Sequence, residues 1–210
     1  MSSIKFIKLI MEDYDVLCVI DVQNNYFTKS KNQHNEKPAL SNIYKEIQYA
    51  KKKNKFIVVV AEADKETLQS VLFLLKNKRH RIYNNFIKVY KSEWGGGNEI
   101  ITSLNNIDFI KDKMQLHFRL VGCYLNQCVQ YTGFELAKKN HKVTIVGPAC
   151  KSYASNEYSP GKYASRAYDC QTDYSKYSHL INVDGVYKKS KMDKKDRRYE
   201  PYYMYPYIFM

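Results

Sequence analysis

Short, unbroken apolar runs alternate with longer amphipathic stretches through most of this chain. Val16–Ile20 (VLCVI) and Phe56–Ala61 (FIVVVA) have no polar alternation, and both are short and rich in β-branched residues, as strands are. Phe86–Tyr90 (FIKVY), Leu116–Cys123 (LHFRLVGC) and Lys142–Val146 (KVTIV) complete five predicted strands. A strand that is apolar on both faces belongs in a parallel sheet with helices above and below. Between the strands, Ser41–Lys53 sets Ile43, Ile47 and Ala50 on one face and gathers lysines in its last turn, where the helix dipole favours them. Leu68, Val71, Leu72 and Leu75 form a second helical stripe, and Asn98–Leu104 and Asn126–Lys139 read as two further helices. The alternation predicts an α/β fold: three layers, α-β-α, doubly wound about a mainly parallel sheet with right-handed crossovers.

After Gly147 and Pro148 the periodicity fades. Lys151–Lys162 reads as a surface loop, and Gln171–Val183 as one more helix and an edge strand. A basic block from Lys188 to Arg198 then precedes an aromatic end, Tyr199 to Met210. The expected division is a folded domain over residues 1–186 and a basic, aromatic tail over 187–210.

Composition narrows the class. The chain has 210 residues, 44% of them hydrophobic, enough for one sizeable core and too many for wholesale disorder. The formal charge of +13 gives a field that attracts anions. Lys, Asn, Tyr and Ile share A/T-rich codons, so compositional drift accounts for that charge without a nucleic-acid partner. Five scattered cysteines, with no CxxC pair, argue against a disulfide framework and a zinc knuckle. Lys5 and Lys8 interrupt the apolar start, and no run reaches the length of a membrane span. The expectation is a soluble cytoplasmic protein with no membrane partner.

In an open parallel sheet, ligands bind beyond the carboxyl ends of the strands. Asp21 directly follows the first strand, Lys91 the third, and Cys128 lies five residues beyond Cys123 at the start of a predicted helix. Taken singly, each has an ordinary role as a cap, a solvated charge or a packed thiol. Together they would bring an acid, a cation and a nucleophile to one crevice. A helix start and a nearby ammonium are expected to lower the thiol below its free value of about 8.5. Asp21 would then act as general base and acid, Lys91 would hold the charges, and the backbone N–H groups of Tyr124 and Cys128 would serve as an oxyanion hole.

The segments VLCVIDVQNNYF, KSEWGGG and VGCYLNQCVQYTGFELAKKNHKVTIV resemble the isochorismatase-like cysteine hydrolases, which include nicotinamidases and carbamoylsarcosine amidases. The likeness runs in order from Val16 to Ala149. Its most specific part is the Gly122-x5-Cys128-Val129 motif that presents a nucleophile before a small-residue helix. The resemblance implies the isochorismatase-like fold and places a catalytic triad on Asp21, Lys91 and Cys128. It also implies a cis peptide between Cys123 and Tyr124, and a pocket near Gln23, Phe27, Trp94 and Tyr124 with Phe27 as a wall. Nicotinamidases carry an Asp and His metal motif after the second strand; here the chain reads AEADKETL, so no metal and no cofactor is expected. Leu125 stands where Thr or Ser is usual and Pro148 where an Asp is usual, which leaves a reduced or altered activity open.

Gly95–Gly97 lacks the lysine and Ser/Thr of a phosphate loop and reads as a flexible turn beside Lys91. His34, His80, His117, His141 and His179 show no ligand spacing. The leading expectation is a cysteine hydrolase cleaving a C–N bond of a small amide through a thioester on Cys128. The alternative is a catalytically weak member acting as a binding or assembly module. Its basic tail could bind nucleic acid, although a tail packed on the body or on a second subunit is the plainer expectation. A homo-oligomer is left open.

Overall fold

The computed structural model describes residues 13–27, 36–76, 85–111, 113–151 and 177–184. In chain order these form β1 (Val16–Ile20), α1 (Asn24–Phe27), α2 (Glu36–Lys52), β2 (Phe56–Glu62), α3 (Gln69–Lys76), β3 (Phe86–Lys91), α4 (Gly97–Leu104), α5 (Asp108–Lys111), β4 (His117–Cys123), α6 (Gln130–Lys138), β5 (Lys142–Lys151) and β6 (Ile181–Asp184). The tail, its boundary at 186/187, Cys170, most of the expected loop after Lys151 and the start of Gln171–Val183 lie outside the described residues.

The strands form one sheet in the order β3-β2-β1-β4-β5-β6, with every neighbouring pair parallel. Alternate residues of the same strand feed opposite faces. Val16, Cys18, Ile20, Val58 and Val60 pack with Ile100, Leu104, Leu136 and Ala137 of α4 and α6. Leu17, Val19, Ile57 and Val59 pack with Ile43, Ile47, Val71 and Leu75 of α2 and α3. Burial on both faces explains the unbroken apolar runs, and the expected three-layer α/β architecture is present.

Several boundaries differ from the sequence reading. α2 starts five residues early, at Glu36 rather than Ser41, because Pro38 falls in its first turn, where a missing N–H is harmless. α6 starts four residues late, at Gln130 rather than Asn126. The preceding Leu125–Val129 forms a wide, kinked turn in which Gln127 leaves helical geometry at φ −136°, ψ −110°. β5 continues to Lys151, past Gly147 and Pro148. Its pairing with β4 shifts register between Leu120 and Gly122, and the Pro148 carbonyl accepts the Asn42 side-chain amide at 2.9 Å instead. The edge strand expected near Val183 is β6. Asn54 and Asn140, at φ 53° and 65°, end α2 and α6 in left-handed geometry.

One charged pair crosses the sheet–helix interface. Arg119 of β4, 1% exposed, makes a forked contact with Glu46 of α2: Nε donates to Oε2 at 2.8 Å and Nη2 to Oε1 at 3.0 Å. Among the described residues no helix is long and apolar enough to cross a membrane.

Candidate active site

The chain runs outward through β1, β2 and β3, then returns to place β4 beside β1. That reversal opens a crevice at the carboxyl ends of β1 and β4, where ligands bind in this architecture. Asp21 stands at its lip, wholly buried, with its N–H donating to the Val60 carbonyl at 2.9 Å. Its φ of 51° is left-handed, a conformation Asp adopts more readily than most side chains. The turn thereby aims the carboxylate back over the sheet end.

Lys91 ends β3, with β2 lying between it and β1. The two strand spacings amount to roughly 9 to 10 Å, a gap that a lysine stem from one side and an aspartate arm from the other together span. Lys91 Nζ lies 2.9 Å from Asp21 Oδ2, with both side chains essentially buried. The same ammonium donates to the carbonyls of Glu93 and Trp94 at 3.2 and 3.1 Å. Cys128, 7% exposed, sits in the wide turn after β4, close enough to Asp21 and Lys91 for both to act on the proton affinity of its thiol. Neither Asp21 oxygen receives a well-directed hydrogen bond, so the carboxylate keeps accepting capacity toward the crevice.

Burial governs the proton affinities. It raises the Asp21 carboxyl above its ordinary value, and Lys91 and the thiol only partly offset this. It works against the Lys91 charge as well, but the negative charge of Asp21 prevails and the ammonium is held more tightly. Burial, reinforced by Asp21, pushes the Cys128 thiol up to about 12. The expectation of a lowered thiol is therefore overturned. Sequence reveals the neighbouring lysine but not the loss of solvent, and Cys128 precedes α6 rather than sitting in its first turn. At neutral pH the Cys128 thiol is protonated beside the buried Asp21–Lys91 pair.

The Cys123–Tyr124 peptide is cis. Gly122 before it has φ 134°, and a Cβ there would stand 2.0 Å from the Ile20 carbonyl oxygen, so only glycine lets β4 pass β1 at this point. The expected pocket residues divide. Tyr124 is half-buried, its ring edge-on to Tyr26 at 5.6 Å between centroids. Phe27, expected as a pocket wall, is 4% exposed and packed in the core under α2, with the Lys151 ammonium 5.2 Å from its ring centre. Gln23, also expected in the pocket, is wholly buried and grips a neighbouring loop: its amide donates to the Glu62 and Lys65 carbonyls at 3.2 and 2.6 Å and accepts the Glu62 N–H at 3.2 Å. Trp94 leans on Tyr131 at 6.2 Å and presents its carbonyl to Lys91.

Tyr26 was missed by the sequence reading. Its ring abuts Tyr124, where the turn carrying Cys128 begins, and the charge of Asp21 acts on its phenol, whereas its neighbour Phe27 packs in the core. The signal was the DVQNNYF turn itself, but telling two adjacent aromatics apart requires knowing that α1 begins at Asn24.

The glycine run is not a flexible turn. The Gly96 N–H donates to Thr132 Oγ1 at 3.0 Å and the Gly97 N–H to Glu135 Oε2 at 2.7 Å, clamping the loop to α6. A Cβ on Gly96 would stand 2.6 Å from Val60 Cγ1 and 3.7 Å from Lys91 Cδ. The bare backbone lets the loop pack directly on Val60, with the Lys91 stem alongside.

No family model matches the sequence, and neither does any curated protein. Solved structures do. The nicotinamidase SaPncA from Staphylococcus aureus aligns over 83% of this chain and 100% of its own at 12% identity and a TM-score of 0.58. An isochorismatase family protein from Burkholderia thailandensis aligns over 81% and 90% at 13% identity and 0.54. The MAR1 ribonuclease from Caenorhabditis elegans aligns over 74% and 71% at 16% identity and 0.53. At these identities the likeness is one of fold, and the chain has the isochorismatase-like α/β fold. Glu62, the last residue of β2, is engaged by the Lys65 ammonium and the Tyr26 hydroxyl. Among the described residues no three His, Cys, Asp or Glu side chains are placed to share a cation.

Proposed function

We propose that the chain is a cysteine hydrolase that cleaves the C–N bond of a small amide. The observation that carries this reading is the buried Asp21–Lys91 pair at the crevice, with the buried Cys128 in the turn after β4 close enough for both to act on its thiol. Because the thiol rests protonated, attack requires a base already in contact. As Cys128 Sγ bonds to the amide carbon, its proton passes to Asp21; the C–N bond breaks as Asp21 returns that proton to the leaving nitrogen. Water then adds to the thioester, giving a proton to Asp21, which restores it to sulfur as the C–S bond breaks and the acid departs. Lys91 holds the carboxylate and the developing negative charge throughout, and the backbone N–H groups of Tyr124 and Cys128 are the donors assigned to the oxyanion. The neighbouring fold of a nicotinamidase supports an amide as substrate.

A panel of small amides assayed for ammonia release tests the reading. Wild-type protein is expected to release ammonia from at least one of them and Cys128→Ser from none. Release that survives Cys128→Ser contradicts it. A second reading, a binding module acting on nucleic acid, is favoured by the ribonuclease among the fold neighbours and by the Lys188–Arg198 block. It predicts RNA binding that weakens steeply with salt and persists in Cys128→Ser.

A further inference from the structure

Tyr26, Glu62 and Lys65 form a compact polar cluster beside the proposed catalytic unit, and no step of the reaction uses it. The Tyr26 hydroxyl donates to Glu62 Oε1. Lys65 Nζ donates to the Tyr26 oxygen at 2.8 Å and to Glu62 Oε2, and lies 4.8 Å from the centre of the Tyr26 ring. Both carboxylate oxygens are thus engaged, and the phenol both donates and accepts. An ammonium carries three donors, of which two are occupied here, and the Lys65 side chain remains 22% exposed. The remaining capacity of the cluster is therefore donation from a cation.

The cluster is also held in place and coupled to the reacting groups. Gln23, two residues beyond Asp21, fixes the backbone of Glu62 and Lys65. The charge of Glu62 acts on Asp21, that of Lys91 on Glu62, and that of Asp21 on Tyr26. The Tyr26 ring abuts Tyr124, which leads into the turn carrying the thiol.

We propose that Tyr26, Glu62 and Lys65 constitute a substrate-reading subsite in which the Lys65 ammonium receives a carboxylate at the end of the substrate remote from the amide, so that the preferred substrates are anionic amides. This deepens the hydrolase reading and rests on it. The surrounding field of a +13 chain draws such a ligand in.

The test compares benzamide with 3-carbamoylbenzoate, which adds one carboxylate to the same ring and amide, as protectants of Cys128 against iodoacetamide in the full chain, read by mass spectrometry. The carboxylate probe should protect wild-type protein at a concentration about tenfold below benzamide, the scale of one charge-assisted hydrogen bond. Lys65→Met should erase that preference, Lys65→Arg should keep it, and Glu62→Gln, which removes the competing anion, should enlarge it. Equal protection by the two probes in wild-type protein, absence of protection by both, or a preference that survives Lys65→Met overturns the subsite. Ammonia release and its loss in Cys128→Ser are scored separately, so the subsite can fail while the hydrolase reading stands, and the reverse.

Discussion

Asp21 and Lys91 form an ion pair from which water is excluded, with the buried Cys128 beside it. Asp21 and Lys91 tolerate burial only because each neutralises the other. Lys91→Met should therefore leave an uncompensated carboxylate and lower stability by about 3 kcal/mol, whereas the double variant Asp21→Asn/Lys91→Met should recover most of that loss, both measured by urea unfolding. Equal losses in the two variants would mean that the pair is not coupled. These residues were legible in the sequence because each ends or closely follows an apolar run, and strand ends are where a parallel sheet presents chemistry. Their proton affinities were not, since desolvation is a property of the assembled crevice. Nor was the exchange of roles at Gln23, Tyr26 and Phe27, where the turn after Asp21 decides which side chain meets solvent, loop or core.

Among the elements, the contact between α6 and the glycine loop sets the geometry most directly. Thr132 Oγ1 donates to the Cys128 carbonyl at 2.7 Å and accepts the Gly96 N–H at 3.0 Å, tying the turn that carries Cys128 to the glycine loop after Lys91. Thr132→Val keeps the volume but leaves that buried N–H unmet. It should cost about 1 to 3 kcal/mol and reduce amide turnover, while Thr132→Ser should restore both. At the other end of α6, His141 Nδ1 accepts the Leu116 N–H at 3.3 Å, so the ring is neutral there, and burial, aided by Lys139, depresses its pKa. The unfolded chain then takes up the proton first. Stability from the neutral ring is present above about pH 6.5 and is lost as pH falls toward the folded value. Urea unfolding at pH 7.5 and 5.5 should show a loss in wild-type protein that is smaller in His141→Gln. The strand and helix pattern was readable, because apolar periodicity reports burial. The early start of α2, the late start of α6 and the long β5 were not, because proline placement, a kinked turn and a register shift answer to tertiary contacts.

At the scale of the whole molecule, the order β3-β2-β1-β4-β5-β6 is what turns distant residues into neighbours. The Arg119–Glu46 fork locks α2 onto β4; Glu46→Ala strands the buried guanidinium and should lower stability by about 3 kcal/mol in the same urea assay. The alternation of apolar runs was enough to anticipate the layers, whereas the partner of a lone arginine inside LHFRLVGC required the packed helix. The convergence of Asp21, Lys91 and Cys128 is tested most directly by the rate of Cys128 alkylation by iodoacetamide at pH 7 in wild-type, Asp21→Asn and Lys91→Met proteins. Asp21 raises the thiol's proton affinity and Lys91 lowers it, so the account predicts slow labelling in wild-type protein, faster labelling in Asp21→Asn and slower still in Lys91→Met. Labelling at the rate of a free thiol, unchanged by either substitution, would contradict it.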